Sequence, residues 1–481
     1  MSNVAVIPFQ QEEGRGLVYL TFISVIASMG GLLFGFGTFV ISGAIAPLKS
    51  QFALNLAMEG WLVTSALVGC AVGSAVAGAL SDRFGRKVVL VASGLLFVMC
   101  SVGCALAWNI DAVIGARLLG GVGIGVVSMV SPLYISEISL ARVRGRMVSL
   151  FQFAVTIGIC LALLSNAWLQ ALASRAAGTH GSNLYRWLVV DQVWRGMFGM
   201  GLFPAVVFTV FSFLIPETPR WLMKVGRTAD AMQVLTKVGG AAVAEKEMKE
   251  IQNAIAEETG SLTQLFAPGL RKALFVALFL AIVSELSGIT VVLLYGPGIL
   301  EKAGFSFSSA LGGFVSIGLV NMLFTIIAIW LMDIVGRRAL LFVGNAGAFV
   351  ALTTIGVLFY SGQTEGLLLV GMLCLFIACF AFSMGPIKWV VMSEIFPTRI
   401  RGRAMAIVTL SVWLTDGIYN QMFPLVRETL GVAGSFFIFA AVLVPQFFFV
   451  WKIMPETKGR TLEEIEASWR PGSSAGPSPA A

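Results

Sequence analysis

Long apolar runs, separated by short polar and basic stretches, recur along the whole chain. Crossing a bilayer core takes about 20 apolar residues per helix. Runs of that kind predict twelve helical spans, at 17–42, 58–79, 88–107, 112–135, 147–170, 195–215, 271–299, 309–331, 339–360, 366–392, 404–426 and 434–454. The first run is too long for a secretory signal and lacks its small-residue cleavage site, so it reads as span 1.

The polar stretches carry the orientation. Arg83, Arg86 and Lys87 follow span 2, Arg142, Arg144 and Arg146 follow span 4, Arg337 and Arg338 follow span 8, and Arg399, Arg401 and Arg403 follow span 10. In a twelve-span count these loops share one side, which the positive-inside rule makes cytoplasmic together with both termini. The longest polar interval, 216–270, has amphipathic character and predicts short cytoplasmic surface helices. The expected organisation is a cytoplasmic segment 1–16, a first half 17–215, the linker 216–270, a second half 271–454 and a cytoplasmic tail 455–481. After Glu466 the tail is rich in Pro, Gly, Ser and Ala and reads as disordered.

Composition narrows the function. Of 481 residues, 57% are apolar and 12% charged, too few charges to cover a water-soluble surface of this size and too apolar for disorder. The net charge of +7 is accounted for by the basic loops and calls for no nucleic-acid partner. The six cysteines lie within apolar runs and read as packing residues, and the single histidine, His180, lies between spans. With no histidine-based catalytic group, no metal and no cofactor indicated, the chain is not expected to be an enzyme. Its apolar surface is expected to face the lipid bilayer.

The chain also repeats itself. Ser81-Asp82-Arg83-Phe84-Gly85-Arg86-Lys87 returns about 250 residues later as Met332-Asp333-Ile334-Val335-Gly336-Arg337-Arg338. Ser136-Glu137-Ile138 with Arg142-Val143-Arg144-Gly145-Arg146 returns as Ser393-Glu394-Ile395 with Arg399-Ile400-Arg401-Gly402-Arg403. Pro216-Glu217-Thr218 returns as Pro455-Glu456-Thr457. Three motifs in one order predict two pseudo-symmetric six-helix halves.

These motifs, with Arg117 followed by Gly120-Gly121, Pro216 to Leu222 and Pro455 to Gly459, resemble the sugar porter family of the major facilitator superfamily over roughly 17–466. The resemblance implies the major facilitator fold and alternating-access transport of a sugar, polyol or derivative by a monomer in the plasma (inner) membrane, with a small-molecule substrate and, if transport is coupled, protons as partners. It also implies a cytoplasmic gate of charge pairs formed by Asp82, Arg86, Glu137, Arg144, Asp333, Arg337, Glu394 and Arg401. Such pairs are expected to hold in the outward-open state and to break in the inward-open state. Matched residue by residue, the substrate site takes Gln152, Trp389 and Trp413, with Phe34 and Tyr295 nearby. Helix breaks are expected in span 7 around Tyr295-Gly296-Pro297-Gly298 and in span 10 at Gly385-Pro386, where backbone would line a cavity.

The chain departs from the family where chemistry is decided. Ser284, Glu285 and Thr290 stand where span 7 usually offers amides, Lys388 precedes Trp389, and Asp416 follows Trp413. Intramembrane charges are functional candidates, so Glu285, Lys388 and Asp416 join the site, as a structural ion pair or as contacts to a charged solute such as an amino sugar, aminocyclitol or sugar acid. The proton-coupled pattern has an aspartate near the span 4 arginine. Arg117 is present, but the acid's position is Gly37. That weighs towards uniport or weak coupling, with Glu285 or Asp416 the remaining carriers. A non-transporting sugar sensor is the alternative from another class.

Overall fold

The computed structural model describes residues 6–140, 143–176, 185–256, 265–266, 270–364, 366–396, 400–454 and 456, without the side chains of 6–15, 254, 256, 333, 393 and 401. His180, Arg142, Arg399 and the segment 457–481 lie outside this description. Among the described residues the chain is helical, with no strand.

Among the described residues, eleven helical stretches are long and apolar enough to cross a membrane. They are Gly16–Phe52 (span 1), Leu56–Phe84 (span 2), Arg86–Leu106 (span 3), Ile110–Ile138 (span 4), Arg144–Ala176 (span 5), Val193–Ser212 (span 6), Leu270–Lys302 (span 7), Phe307–Met332 (span 8), Arg337–Ser361 (span 9), Leu367–Met392 (span 10) and Gly402–Lys452. The last stretch is two spans, 11 and 12, which meet at Gly431 with φ 72° and ψ 175°. The count is therefore twelve. Among the described residues, three short α-helices, Pro219–Lys224, Thr228–Gly239 and Ala241–Ala256, fall between spans 6 and 7.

Local chemistry starts and stops these helices. Asn55, Asn109 and Ser306 accept hydrogen bonds from the backbone N–H groups of Met58, Ala112 and Ser309, capping spans 2, 4 and 8 at the end remote from the basic loops. At the basic end, Gly85 and Gly336 turn the chain between spans 2 and 3 and between spans 8 and 9 with φ 93° and 94°, a region that favours glycine.

Within each half the helices pack closely. A Cβ on Gly69 would lie 2.3 Å from the carbonyl oxygen of Leu118, and one on Gly121 would lie 2.1 Å from that of Ala66, so spans 2 and 4 meet backbone to backbone. Span 1 packs on span 5, and span 3 on spans 4 and 6. The halves meet where span 2 packs on span 11 and span 5 on span 8, the pairing that an internal two-fold repeat produces.

The breaks differ from those expected. Span 7 is interrupted at Gly288, φ 84°, between helices Leu270–Leu286 and Ile289–Lys302, and runs unbroken through Tyr295 to Gly298. Gly296 serves packing instead, since a Cβ there would fall 1.8 Å from Cζ of Phe314. Pro297 removes one helix hydrogen bond without ending the helix. Span 10 breaks at Ser383 rather than at Gly385-Pro386, and Pro386 lies in the first turn of the following helix, where its missing N–H costs little.

Candidate functional site

Each half carries the same clamp at its basic end. Arg86 donates from Nη2 to Glu137 at 3.0 Å and from Nη1 to the carbonyl of Ser81, and pairs with Asp82 at 3.1 Å. Arg337 repeats this with Glu394 at 3.1 Å and the carbonyl of Met332. A second acid completes each clamp. Glu217 accepts the backbone N–H groups of Arg86 and Lys87 at 3.0 and 3.1 Å, and Glu456 accepts those of Arg337 and Arg338 at 3.1 and 3.0 Å. Both carboxylates sit at helix N-termini, where free N–H groups and the helix dipole favour negative charge. The turn glycines leave room for them: a Cβ on Gly85 would fall 2.3 Å from Glu217 Oε2.

Burial raises the Glu217 carboxyl above the usual range, opposed by the N–H groups of Thr218, Lys87 and Arg86 and by the Arg86 charge. Thr218 donates from its hydroxyl to Glu137 at 2.7 Å, tying the stretch after span 6 to the clamp. Arg144 stands apart, exposed at the start of span 5, where its charge acts on Glu247 of the linker helix Ala241–Ala256. The side chains of Asp333 and Arg401 lie outside the described residues.

Midway along the bundle, spans 7, 10 and 11 bring the unusual charges together. Lys388 and Glu285 form a buried ion pair. Thr290 donates to Asp416 Oδ1 at 2.7 Å and lies 3.5 Å from Glu285 Oε2, so one hydroxyl bridges both carboxylates. Lys388 Nζ also sits 5.5 Å from the centre of the Trp389 ring. Trp413 packs on Phe34 at 5.4 Å between centroids, joining the C-terminal half to span 1. Gln152 and Trp389 are half-buried, and neither side chain makes a hydrogen bond among the described residues. Ser284 Oγ and Trp413 Nε1 are buried without partners there. Tyr295 is buried against Phe423 and donates to the carbonyl of Asn420 at 3.2 Å, a packing position.

Arg117 is buried in the other half. It donates to the carbonyls of Leu62 and Val63 at 3.1 and 3.4 Å and lies 5.8 Å from the Phe198 ring. A Cβ on Gly37 would meet Ile124 and Phe97 in ordinary contact, at 3.4 and 3.6 Å.

The end remote from the basic loops is sealed across the halves. Arg427 of span 11 donates to Glu59 of span 2 at 2.9 Å, both buried, and Glu59 also pairs with Lys49 at 2.6 Å. Gln421 donates to the carbonyl of Ala57, and Thr64 to that of Gly417. Sequence reasoning missed this seal, and it left Glu217 and Glu456 without a role. A signal existed for each. Arg427 is a basic residue at the non-basic end of a span, and the two glutamates stand in a repeated motif.

The family described as Sugar (and other) transporter matches residues 23–469. The chain is 39% identical over 467 residues to the arabinose-proton symporter of Bacillus subtilis (strain 168), covering 96% of this chain and 97% of that one. It is 34% identical over 487 residues to the D-xylose-proton symporter of Escherichia coli (strain K12), covering 94% and 96%. The fold matches the xylose transporter XylE from E. coli in a partially occluded inward-open conformation with a TM-score of 0.80 at 32% identity, over 92% of this chain and 100% of that one.

Proposed function

The chain belongs to the sugar porter family of the major facilitator superfamily, a family of transporters rather than enzymes, and from that premise we propose that it carries a neutral monosaccharide across the plasma membrane by alternating access. The observation that carries the reading is the one-sided seal. Glu59 and Arg427 lock spans 2 and 11 together across the halves at one end, while among the described residues the clamp pairs Arg86–Glu137 and Arg337–Glu394 each join residues of the same half. With the basic loops and both termini on the cytoplasmic side, the seal lies at the outer end of the bundle.

Neutral sugar is favoured over a sugar acid because Lys388 is paired with Glu285, leaving no free cation for a carboxylate in that cluster. Hydroxyl and amide groups from Thr290, Ser284 and Gln152 match sugar hydroxyls, and Trp389, Trp413 and Phe34 cover the C–H face of the ring. Arabinose and D-xylose are the first substrates to test, because two similar chains are named for them.

The test is counterflow of labelled arabinose or D-xylose in proteoliposomes, beside thermal stabilisation by neutral, amino and acidic sugars. A ligand at 100 times its dissociation constant adds about 2.7 kcal/mol to stability. Stabilisation by sugar acids alone, or binding without counterflow, would remove the neutral-sugar carrier reading.

Gln152→Ala and Trp389→Ala are each expected to weaken sugar binding about tenfold, the effect of one lost hydrogen bond or ring contact, with normal insertion. Calorimetric titration checks this, and wild-type affinity in both variants takes these residues out of the site.

Glu137→Gln acts elsewhere. It loosens the clamp on the buried Arg86 and is expected to slow turnover at saturating sugar about tenfold or more while shifting equilibrium affinity only modestly. Zero-trans uptake rates and titration on the same preparation separate the two effects, and an unchanged rate means the clamp is no part of the gate.

A further inference from the structure

Resting on the transport reading, we propose that Asp416 is the site that binds and releases the coupling proton, a role relocated from the acid-less Gly37 position to the Thr290-bridged cluster of spans 7, 10 and 11. Charge balance is the first argument. The cluster holds two acids and one base, all buried, and Lys388 is committed to Glu285. Among the described residues no lysine or arginine lies within ion-pair distance of Asp416. Two buried acids that share one lysine leave one negative charge in excess, which is costly in a membrane span, and one proton removes that excess.

Geometry is the second argument. The groups facing Asp416 are Thr290 and Glu285 from span 7 and Lys388 from span 10, with Cys70 of span 2 within electrostatic reach. The Thr290 hydroxyl has one proton to donate and lone pairs to accept with. It donates to the Asp416 carboxylate at 2.7 Å, and once Asp416 is protonated it accepts from that O–H and can donate to Glu285. The proton enters from the outer side onto the carboxylate oxygen and leaves as a proton to the cytoplasm, with no other bond made or broken.

Position is the third argument. Asp416 lies on the stretch of span 11 that meets the other half. Trp413 packs on Phe34, the Gly417 carbonyl accepts from Thr64, and Gln421 donates to Ala57. Relative movement of the halves therefore changes what covers Asp416, which is what a carrier group requires.

The experiment measures labelled arabinose or D-xylose in proteoliposomes in two ways, as counterflow without a gradient and as accumulation under an inward proton gradient. In the unmodified protein, accumulation abolished by an uncoupler is expected. In Asp416→Asn the ratio of accumulation to counterflow is expected to fall at least tenfold, and in Asp416→Glu, which keeps the acid, to stay within about threefold of the unmodified protein. Counterflow without gradient-driven accumulation in the unmodified protein overturns the proton site and leaves sugar transport standing. No counterflow of any sugar overturns both readings. An unchanged ratio in Asp416→Asn, or counterflow without accumulation in Asp416→Glu, places the carrier elsewhere. Preference for a cationic amino sugar over its neutral counterpart assigns Asp416 to substrate charge and overturns the proposal.

Discussion

Lys388→Met is expected to strip the protein of much of its stability, and adding Glu285→Gln is expected to restore most of it. Lys388 and Glu285 have side chains 8% and 5% exposed, and they form the ion pair of the central cluster. Taking away one member of a buried pair leaves the other charge without compensation, which costs about 3–5 kcal/mol. Replacing both by neutral groups of similar volume is often close to neutral. Here the single change is aggravated by Asp416, because the Thr290 hydroxyl links the two carboxylates and Lys388 supplies the cluster's only positive charge among the described residues. The Tm of detergent-purified Lys388→Met is expected to drop by about 10 °C, taking the scaling for domains of 150–250 residues. The double variant should recover most of that loss. A single variant that melts with the parent, or a double variant less stable than the single one, would show that the pair is not the cluster's organising contact.

Glu59→Gln is expected to open the outer end of the transporter. Arg427 makes its ion pair across the halves, so the pair exists only while spans 2 and 11 are together. Lys49 belongs to the same half as Glu59 and is 42% exposed on its side chain, so it is able to turn to water in either state. Losing the Glu59 charge thus penalises the closed state, where Arg427 stays buried, far more than the open one. The same range of about 3–5 kcal/mol converts to a population shift of roughly a hundredfold to several thousandfold. Thr64, buried beneath the seal with its hydroxyl on the Gly417 carbonyl, is the reporter position. A Thr64→Cys protein should react slowly with a membrane-impermeant maleimide added outside. In the Glu59→Gln background it should react at least tenfold faster, after subtraction of the six native thiols measured in the parent. Rates within twofold of each other would show that the seal does not govern access.

Much of the architecture was legible in the linear pattern. Helices in a bilayer must satisfy their own backbone and present apolar side chains, so runs of about 20 apolar residues mark spans without knowledge of their neighbours. The repeated motifs likewise fell on equivalent corners, because a duplicated sequence builds duplicated turns. Asp82, Arg86, Glu137, Arg337 and Glu394 pair as neighbours at the ends of packed helices. The helix breaks were less legible. Gly296 and Pro297 are breakers by propensity, yet the break falls at Gly288, because packing against Phe314 holds Gly296 in the helix and only a positive φ ends it.

The sequence alone thus determined class, span number, internal repeat and family, all of which depend on local composition or on motifs a few residues long. The tertiary structure decided which charges neutralise each other. Glu285 and Lys388 lie 103 residues apart in the chain, Thr290 and Asp416 lie 126 apart, and Glu59 and Arg427 lie 368 apart. No spacing rule connects such positions. In a medium of low dielectric the meaning of a charge is set by its partner within a few ångströms, and that partner is chosen by how the two halves pack.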